Sequence, residues 1–372
     1  MSPRWFAGLM TGTVLDGEID IALIRTDGHV VVEFGPAGTA PYPDHLRERL
    51  TDCVIAAANW GFDGPEPAVF GPLESEVTVA QSDALTDFLK SNGFHPADIA
   101  AVGFHGQTVL HRAPTPQAAG KTRQLGDGAL MAQRAGMPVI FDFRSADMAR
   151  GGQGAPLCPA YHAALLTKFG IGPEAAVLNL GGIGNITWRD GSKRLIGFDA
   201  GPANAPIDDW VRRHGAGSMD AGGHIASQGS IDEVRLSGLL GHPYFDAPFP
   251  KSLDRLDFTS SMADGLTLED GAALLTAFAA AAVAEALASL PAKVARLILC
   301  GGGRHNPILV REIAARAGVQ VTMADELGWR GDSLEAECFA FLAARRLADL
   351  PASFPGTTGV PEPQIAGRIA VP

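Results

Sequence analysis

The chain has 372 residues, 46% apolar and 19% charged, which is long enough for two domains with full cores and ordinary for a globular protein. Its net charge of −12 argues against nucleic acid, or an anionic membrane surface, as a partner. Four widely spaced cysteines (Cys53, Cys158, Cys300, Cys338) with no CxxC suggest neither a zinc site nor a disulfide framework, and read as small buried hydrophobes in a reduced compartment.

The N-terminus MSPRWFAGLM has no long apolar signal-peptide region. The most apolar run, Ala277 to Leu287, spans about 11 residues, contains Glu285 and is expected to be too short to cross a bilayer. The expected compartment is the cytoplasm.

In chain order, Trp5 to Gly8 reads as a strand entering the loop Leu9-Met10-Thr11-Gly12-Thr13. Ile19 to Ile24 is a second strand, Asp27-Gly28 a turn, and Val30 to Phe34 a third strand. Helical signals cover 43–58 and 74–92, the latter stopped by Asn92-Gly93. Ile99 to Phe104 and Met137 to Phe141 are short strands, ending at His105 and Asp142. Residues 151–156 (GGQGAP) are expected to be a mobile connection between domains, ahead of a helix at Pro159 to Lys168.

The stretch 176–204 repeats the opening layout. A strand (Ala176 to Leu180) bends at Gly181-Gly182 into a second, through Ile186 to Trp188. Asp190-Gly191 signals a tight turn, and a third strand, Leu195 to Phe198, ends at Asp199. Helices follow at 207–213 and 227–240, then an irregular loop from Pro243 to Phe258. Thr267 caps a long alanine-rich helix at 267–290. Ala295 to Cys300 runs into Gly301-Gly302-Gly303, and Asn306-Pro307 opens the next helix. Gln320 to Met323 is a strand and 333–350 a final helix, before an irregular tail.

Strand, glycine loop, strand, Asp-Gly turn, strand therefore occurs twice, each time followed by alternating helices and strands. This predicts an α/β protein with mixed sheets: a duplicated actin-like ATPase (ribonuclease H-like) fold of two lobes, with a nucleotide cleft between them. The first lobe is expected at 1–140 plus about 350–372, and the second at 141–349.

No GxxxxGK[ST], GxGxxG, GxSxG or HExxH motif is present, which removes P-loop, dinucleotide, common hydrolase and zincin readings. Three glycine turns that follow strands remain, at Gly12, at Gly181-Gly182 and at Gly301 to Gly303. Singly each is a tight turn; together they are candidate phosphate loops, because glycine lets an anion approach backbone N–H groups. Asp199 is the candidate base, with Asp16, Asp142 and Asp147 competing; the last two are equally readable as local salt bridges with Arg144 or Arg150. His105 stands at a strand end and is either a site residue or a packed histidine. Lys251 and Arg255 either bind phosphate or form a solvated face. His111, His162 and His305 lack metal-ligand spacing.

The strings GLMTGTVLDG (8–17), GFHGQTVLHR (103–112), QLGDG (124–128), DFRSADMARGGQGAPLCPAYH (142–162), NLGGIGNIT (179–187), GFDAGPAN (197–204), PKSLDRLDF (250–258) and CGGGRHNP (300–307) resemble anhydro-N-acetylmuramic acid kinase over nearly the whole chain. The resemblance implies a phosphotransferase with an alcohol acceptor that consumes ATP with Mg²⁺ in cell-wall recycling. Water opens 1,6-anhydro-N-acetylmuramic acid at C1 while O6 takes the γ-phosphate, giving N-acetylmuramic acid 6-phosphate and ADP. It assigns Asp199 as the base that activates this water. Gly12, Thr13, Asp16 and Gly17 would form the first phosphate loop and Gly181 and Gly182 the second. Gly301, Gly302, Gly303 and Asn306 would lie near the adenosine, and His105, Gln107, Arg144, Asp147 and Glu335 would face the sugar. The resemblance also implies a homodimer.

Three departures stand out. Met10 occupies a position where many sugar kinases of this fold carry aspartate, leaving Asp16 or only water for Mg²⁺. The first loop reads TVLDGEID rather than TSLDGxD. PKSLDRLDF replaces a PKSTGRE-like run. The competing readings are an ordinary sugar or amino-sugar kinase, with Asp199 deprotonating a hydroxyl, and a non-enzymatic nucleotide-gated regulatory protein.

Overall fold

The computed structural model describes residues 1–12, 17–115, 117–192 and 194–372. The chain divides into two compact units, Met1–Gly170 with Ser333–Pro372, and Ile171–Asp332. The first unit opens with strands β1 (Arg4–Met10), β2 (Glu18–Thr26) and β3 (Val31–Pro41) and helices α1 (Asp44–Trp60) and α2 (Phe70–Ser91). It continues through β4 (Ile99–Phe104), β5 (Gln107–Arg112), β6 (Lys121–Leu125), α3 (Gly128–Ala135), β7 (Val139–Phe141), α4 (Ser145–Ala149) and α5 (Pro159–Lys168). The second unit holds β8 (Ala175–Leu180), β9 (Ile183–Arg189), β10 (Leu195–Pro202), α6 (Asn204–Arg213), α7 (Glu233–Leu240) and α8 (Pro243–Asp246). It closes with α9 (Leu268–Ala288), β11 (Arg296–Cys300), α10 (Pro307–Ala317) and β12 (Gln320–Met323). The chain then returns to the first unit as α11 (Leu334–Leu347), α12 (Pro355–Thr358) and β13 (Arg368–Ala370).

The two main sheets share one topology. In the first, β3, β2 and β1 form an antiparallel meander, and β4 and β7 add in parallel beside β1. In the second, β10, β9 and β8 form the meander, and β11 and β12 add in parallel beside β8. This is the duplicated, mixed-sheet α/β arrangement expected of the actin-like fold. Central strands such as β8 are buried along their whole length, as parallel strands covered on both faces must be.

Burial explains two differences from the sequence expectation. Helix α9 is long and apolar enough to cross a membrane by length and composition, contrary to the shorter run expected, but it is buried along most of its length. Its small residues admit close neighbours: a Cβ on Gly271 would meet the Trp210 ring at 2.3 Å, and one on Gly201 would meet Ala282 Cβ at 2.5 Å. Thr267 caps it as expected, accepting from Asp270 N at 3.1 Å.

Segments 141–170 and 333–349 belong to the first unit, not the second. The reason is backbone contact. Gly8 of β1 stands beside Gly103 of β4, and α11 lies against both. A Cβ on Gly8 would fall 1.9 Å from Ala336 O, and one on Gly103 2.0 Å from Phe339 O. Only glycine lets the helix backbone touch this sheet. The residues expected to be a mobile inter-domain connection, 151–156, likewise lie within the first unit, where Gly152 and Gly154 donate to Asp147. Strands β5, β6 and β13 and helix α3 were not anticipated.

Gly103→Ala should therefore push α11 off the sheet and destabilise the protein by about 1–3 kcal/mol. Denaturant unfolding checks this; an unchanged midpoint would show that the helix is free to shift.

Candidate active site

Strands β8, β10 and β11 run in one direction, so their carboxyl ends meet at one edge of the second unit's sheet, where open α/β sheets bind ligands. The Gly181-Gly182 turn leaves β8 at that edge, and Gly301 to Gly303 leave β11 beside it. Register puts Cys300 opposite Asn179. Gly301 needs its left-handed φ of 77°, and a Cβ there would lie 2.3 Å from Asn179 Oδ1. A Cβ on Gly303 would lie 2.9 Å from Asn204 Oδ1, whereas Gly302 has nothing within 4 Å and opens outward.

Helix α6 starts on the same turn: Asn204 N donates to Gly181 O at 3.0 Å, and Ala205 N to Gly182 O at 3.2 Å. One turn further along α6, burial and the carboxylates of Asp209 and Asp220 push Asp208 up to about 6, against Arg212 and Arg255. Arg304 ties the Gly301–Gly303 turn down by donating to Asp325 at 2.8 Å and to Asp332 Oδ2 at 2.7 Å. The paired Arg304 guanidinium holds the Asp332 carboxyl down to about 2.

Asp199 is buried, at 7% exposure, in the middle of β10, which runs three residues beyond the strand end expected there. Its N–H donates to Lys251 O at 2.9 Å, its Oδ2 accepts from Leu253 N at 2.9 Å, and its carbonyl accepts from Tyr244 Oη at 2.5 Å. Burial and the nearby Asp199 carboxylate raise the Tyr244 phenol. Across the sheet, Asn179, Asn185 and Asp199 are direct partners on successive strands. Directly opposed residues share a face, so these three make a polar row one step short of the Leu180, Gly184 and Gly201 pairing. The rows beneath it, through Leu178, Ile186 and Phe198, are core.

In the first unit a second cluster forms where β4 ends. His105 Nδ1 donates to Gly106 O at 2.8 Å, so Nε2 is the acceptor facing Arg144 Nη2 at 3.0 Å. Burial, and then the Arg144 cation, lower His105 to about 3, so the ring is neutral. Arg144 also donates to Gly154 O at 2.7 Å. Gln107, buried, donates to Gly12 O at 3.2 Å, and Thr11 donates to Gly106 O at 3.0 Å. Gly12 and Gly17 line a small pocket with Gln107. Glu335, half-buried on α11, and Arg144 both act on the Cys338 thiol, with burial the main cause of its raised value.

The structure thus brings His105, Gln107, Arg144, Glu335 and Gly12 to one unit, and Asp199 with Gly181, Gly182, Gly301, Gly302 and Gly303 to the other. Thr13 and Asp16 lie outside the described residues. Asp147, expected to face the sugar, is fully buried instead. Its oxygens accept from Ser353, from Thr358 at 2.6 Å and from Gly154 N at 2.7 Å, so its carboxylate is taken up by neighbours in the first unit and, among the described residues, forms no salt bridge. Asn306 spends its Oδ1 capping α10, accepting from Ile308 N and Leu309 N at 3.1 Å.

Lys251 is no solvated residue: its ammonium donates to Tyr244 O at 2.8 Å and Phe245 O at 3.1 Å beneath Asp199. Arg255 pairs with Asp209. Asp142 takes a left-handed φ of 54° immediately after β7. Sequence reasoning missed Asn179, Asn185, Asn204, Tyr244 and Arg304; four of them lie inside motifs read for glycine and aspartate, and Tyr244 lies in the loop read as irregular.

Burial also lowers His111 to about 4 and His162 to about 3. With His105 these rings bind fewer protons folded than unfolded, so their stabilisation is complete above the unfolded value of about 6.5 and is lost as pH falls towards 4 and 3. The Tm should therefore drop between about pH 7 and about pH 5, and less steeply in His162→Asn. A Tm flat over that range would refute it.

The family model for anhydro-N-acetylmuramic acid kinase matches residues 4–372. The anhydro-N-acetylmuramic acid kinases of Rhizobium rhizogenes and Mesorhizobium japonicum are 56% and 55% identical over 370 residues, covering 100% of this chain and of each relative. That of Caulobacter vibrioides is 48% identical, with 97% of both chains covered. An inorganic polyphosphate/ATP-glucomannokinase from an Arthrobacter species aligns over 94% of this chain and 99% of its own at TM-score 0.41 and 12% identity. With the match unbroken from end to end, the chain belongs to the anhydro-N-acetylmuramic acid kinase family.

Proposed function

We propose that this chain uses ATP and water to open 1,6-anhydro-N-acetylmuramic acid and phosphorylate O6, yielding N-acetylmuramic acid 6-phosphate and ADP in peptidoglycan recycling. The observation that carries this is Asp199, buried and backbone-anchored at the same strand edge as two glycine turns. Its carboxylate takes a proton from water as the water oxygen bonds to C1. The C1–O6 bond breaks, and O6 accepts the γ-phosphoryl group. Asp199 then returns the proton to solvent. Binding at a fixed carboxylate saves orientational entropy that free water would lose.

The glycine turns suit a triphosphate because backbone N–H groups approach it unhindered, and Gly302 is open. Mg²⁺ fits as an ion carried on the phosphates and water: among the described residues no group of His, Cys, Asp or Glu forms a metal cage. Bound there, it would neutralise phosphate charge. Neutral His105 and Arg144, with Gln107 and Glu335, supply donors and acceptors for a sugar bearing hydroxyls and a carboxylate. The four free cysteines accord with the cytoplasm, and the family resemblance with a homodimer.

Asp199→Asn should abolish turnover of the anhydrosugar, by about a thousandfold or more, while ATP affinity stays near that of the unaltered protein. Coupled ADP release and calorimetry measure both. Retained turnover refutes the assignment, and ADP release with only the already open sugar favours the ordinary amino-sugar kinase.

A further inference from the structure

Asn185 has no task in the reaction as set out so far. It occupies the middle of the polar row, paired with Asn179 on β8 and with Asp199 on β10. Its Oδ1 is buried and has no hydrogen-bond partner among the described residues. A buried amide oxygen without a partner is costly unless a ligand or water completes it. Ser252 Oγ is in the same condition. It sits between Lys251, whose carbonyl accepts from Asp199 N, and Leu253, whose N–H donates to Asp199 Oδ2. One of these residues is thus the strand partner of the proposed base, and the other lies between the two loop residues that bond it.

Directly opposed side chains across an antiparallel pair have Cβ atoms about 5 Å apart on one face. Asn185 Oδ1 and the Asp199 carboxylate make no direct bond, as two acceptors cannot. One water can serve both. It has two protons to donate and then keeps a lone pair for attack, in a direction fixed by both acceptors. With Asp199 alone, the water would pivot about a single hydrogen bond.

We propose that Asn185 is the second residue holding the attacking water, its Oδ1 accepting the proton that Asp199 does not remove. When the oxygen bonds to C1 and the C1–O6 bond breaks, that second proton stays on oxygen as the new C1 hydroxyl. Asn185 therefore gains and loses nothing. This rests on the reading of Asp199 given above.

The test compares Asn185→Ala, Asn185→Asp and Asp199→Asn in the full chain with ATP and the anhydrosugar, each checked by thermal melt. Asn185→Ala should lower kcat about a hundredfold while the KM for ATP and for the sugar moves less than about threefold. Asn185→Asp keeps an acceptor at the position, and should recover about tenfold of that loss. Its added carboxylate beside Asp199 raises the apparent proton affinity of the pair, so the acid limb of the kcat profile should move to higher pH.

Asn185→Ala with kcat within about twofold, or with its loss appearing only in the sugar KM, overturns the inference. If Asn185→Ala does not fold, the isosteric Asn185→Asp decides, and an unmoved acid limb overturns it. Should Asp199→Asn retain turnover, the reading of the base itself fails; should Asp199→Asn be inactive and Asn185→Ala normal, only the role of Asn185 fails.

Discussion

The second unit depends on the register of three strands. Asn179, Asn185 and Asp199 line up only because β9 pairs residue for residue with β8 and β10 up to the irregularity after Asp199. A slip of one residue would turn Asp199 to the opposite face and bring Phe198 to this one. Large apolar side chains beneath the row prevent that slip, since Leu178, Ile186 and Phe198 would all leave the core together. The core thus specifies the site, and the polar row adds its chemistry at the one edge where strand ends open outward.

Around that row, the chain spends buried polar groups on holding loops. Lys251 is closed off by two carbonyls and the Tyr244 ring, 4.6 Å away, and so braces the loop whose N–H and C=O groups grip Asp199. Arg304 does the same for the Gly301–Gly303 turn through two carboxylates. In the first unit Asp147 is the equivalent hub, drawing together the segments at 154, 353 and 358. Each is a charged residue in a functional motif. Each ties separate segments together, since a buried charge held by several hydrogen bonds tolerates little displacement.

Much of this was legible in the residues. Strand periodicity and turn chemistry located both meanders and most helices within a few residues, and the repeated layout implied the duplicated fold. The hairpin of β5 and β6 escaped because its strands are short and carry mixed polarity. Helix α3 is short, and its signal is one exposed cap, Asp127, which accepts from Ala129 N and Leu130 N. The unit boundary escaped because α11 joins the first sheet through Gly8 and Gly103, residues more than two hundred positions away. No local pattern carries a contact of that range.

The amino-acid sequence by itself determined which chemistry was available: glycine turns after strands, Asp199 following an apolar strand pattern, and the motif strings of one kinase family. Local propensity and composition act over a few residues, so they can say that a turn or an aspartate exists. The tertiary structure decided which polar residues face a ligand and which serve the fold. Asp147 and Lys251 look as functional as Asp199 in the sequence, yet packing closes their polar atoms in. Asn185 looks like one more strand residue, yet register sets it beside Asp199 with its oxygen unspent. Satisfaction of a buried hydrogen bond depends on neighbours brought from elsewhere in the chain, and only the folded protein brings them.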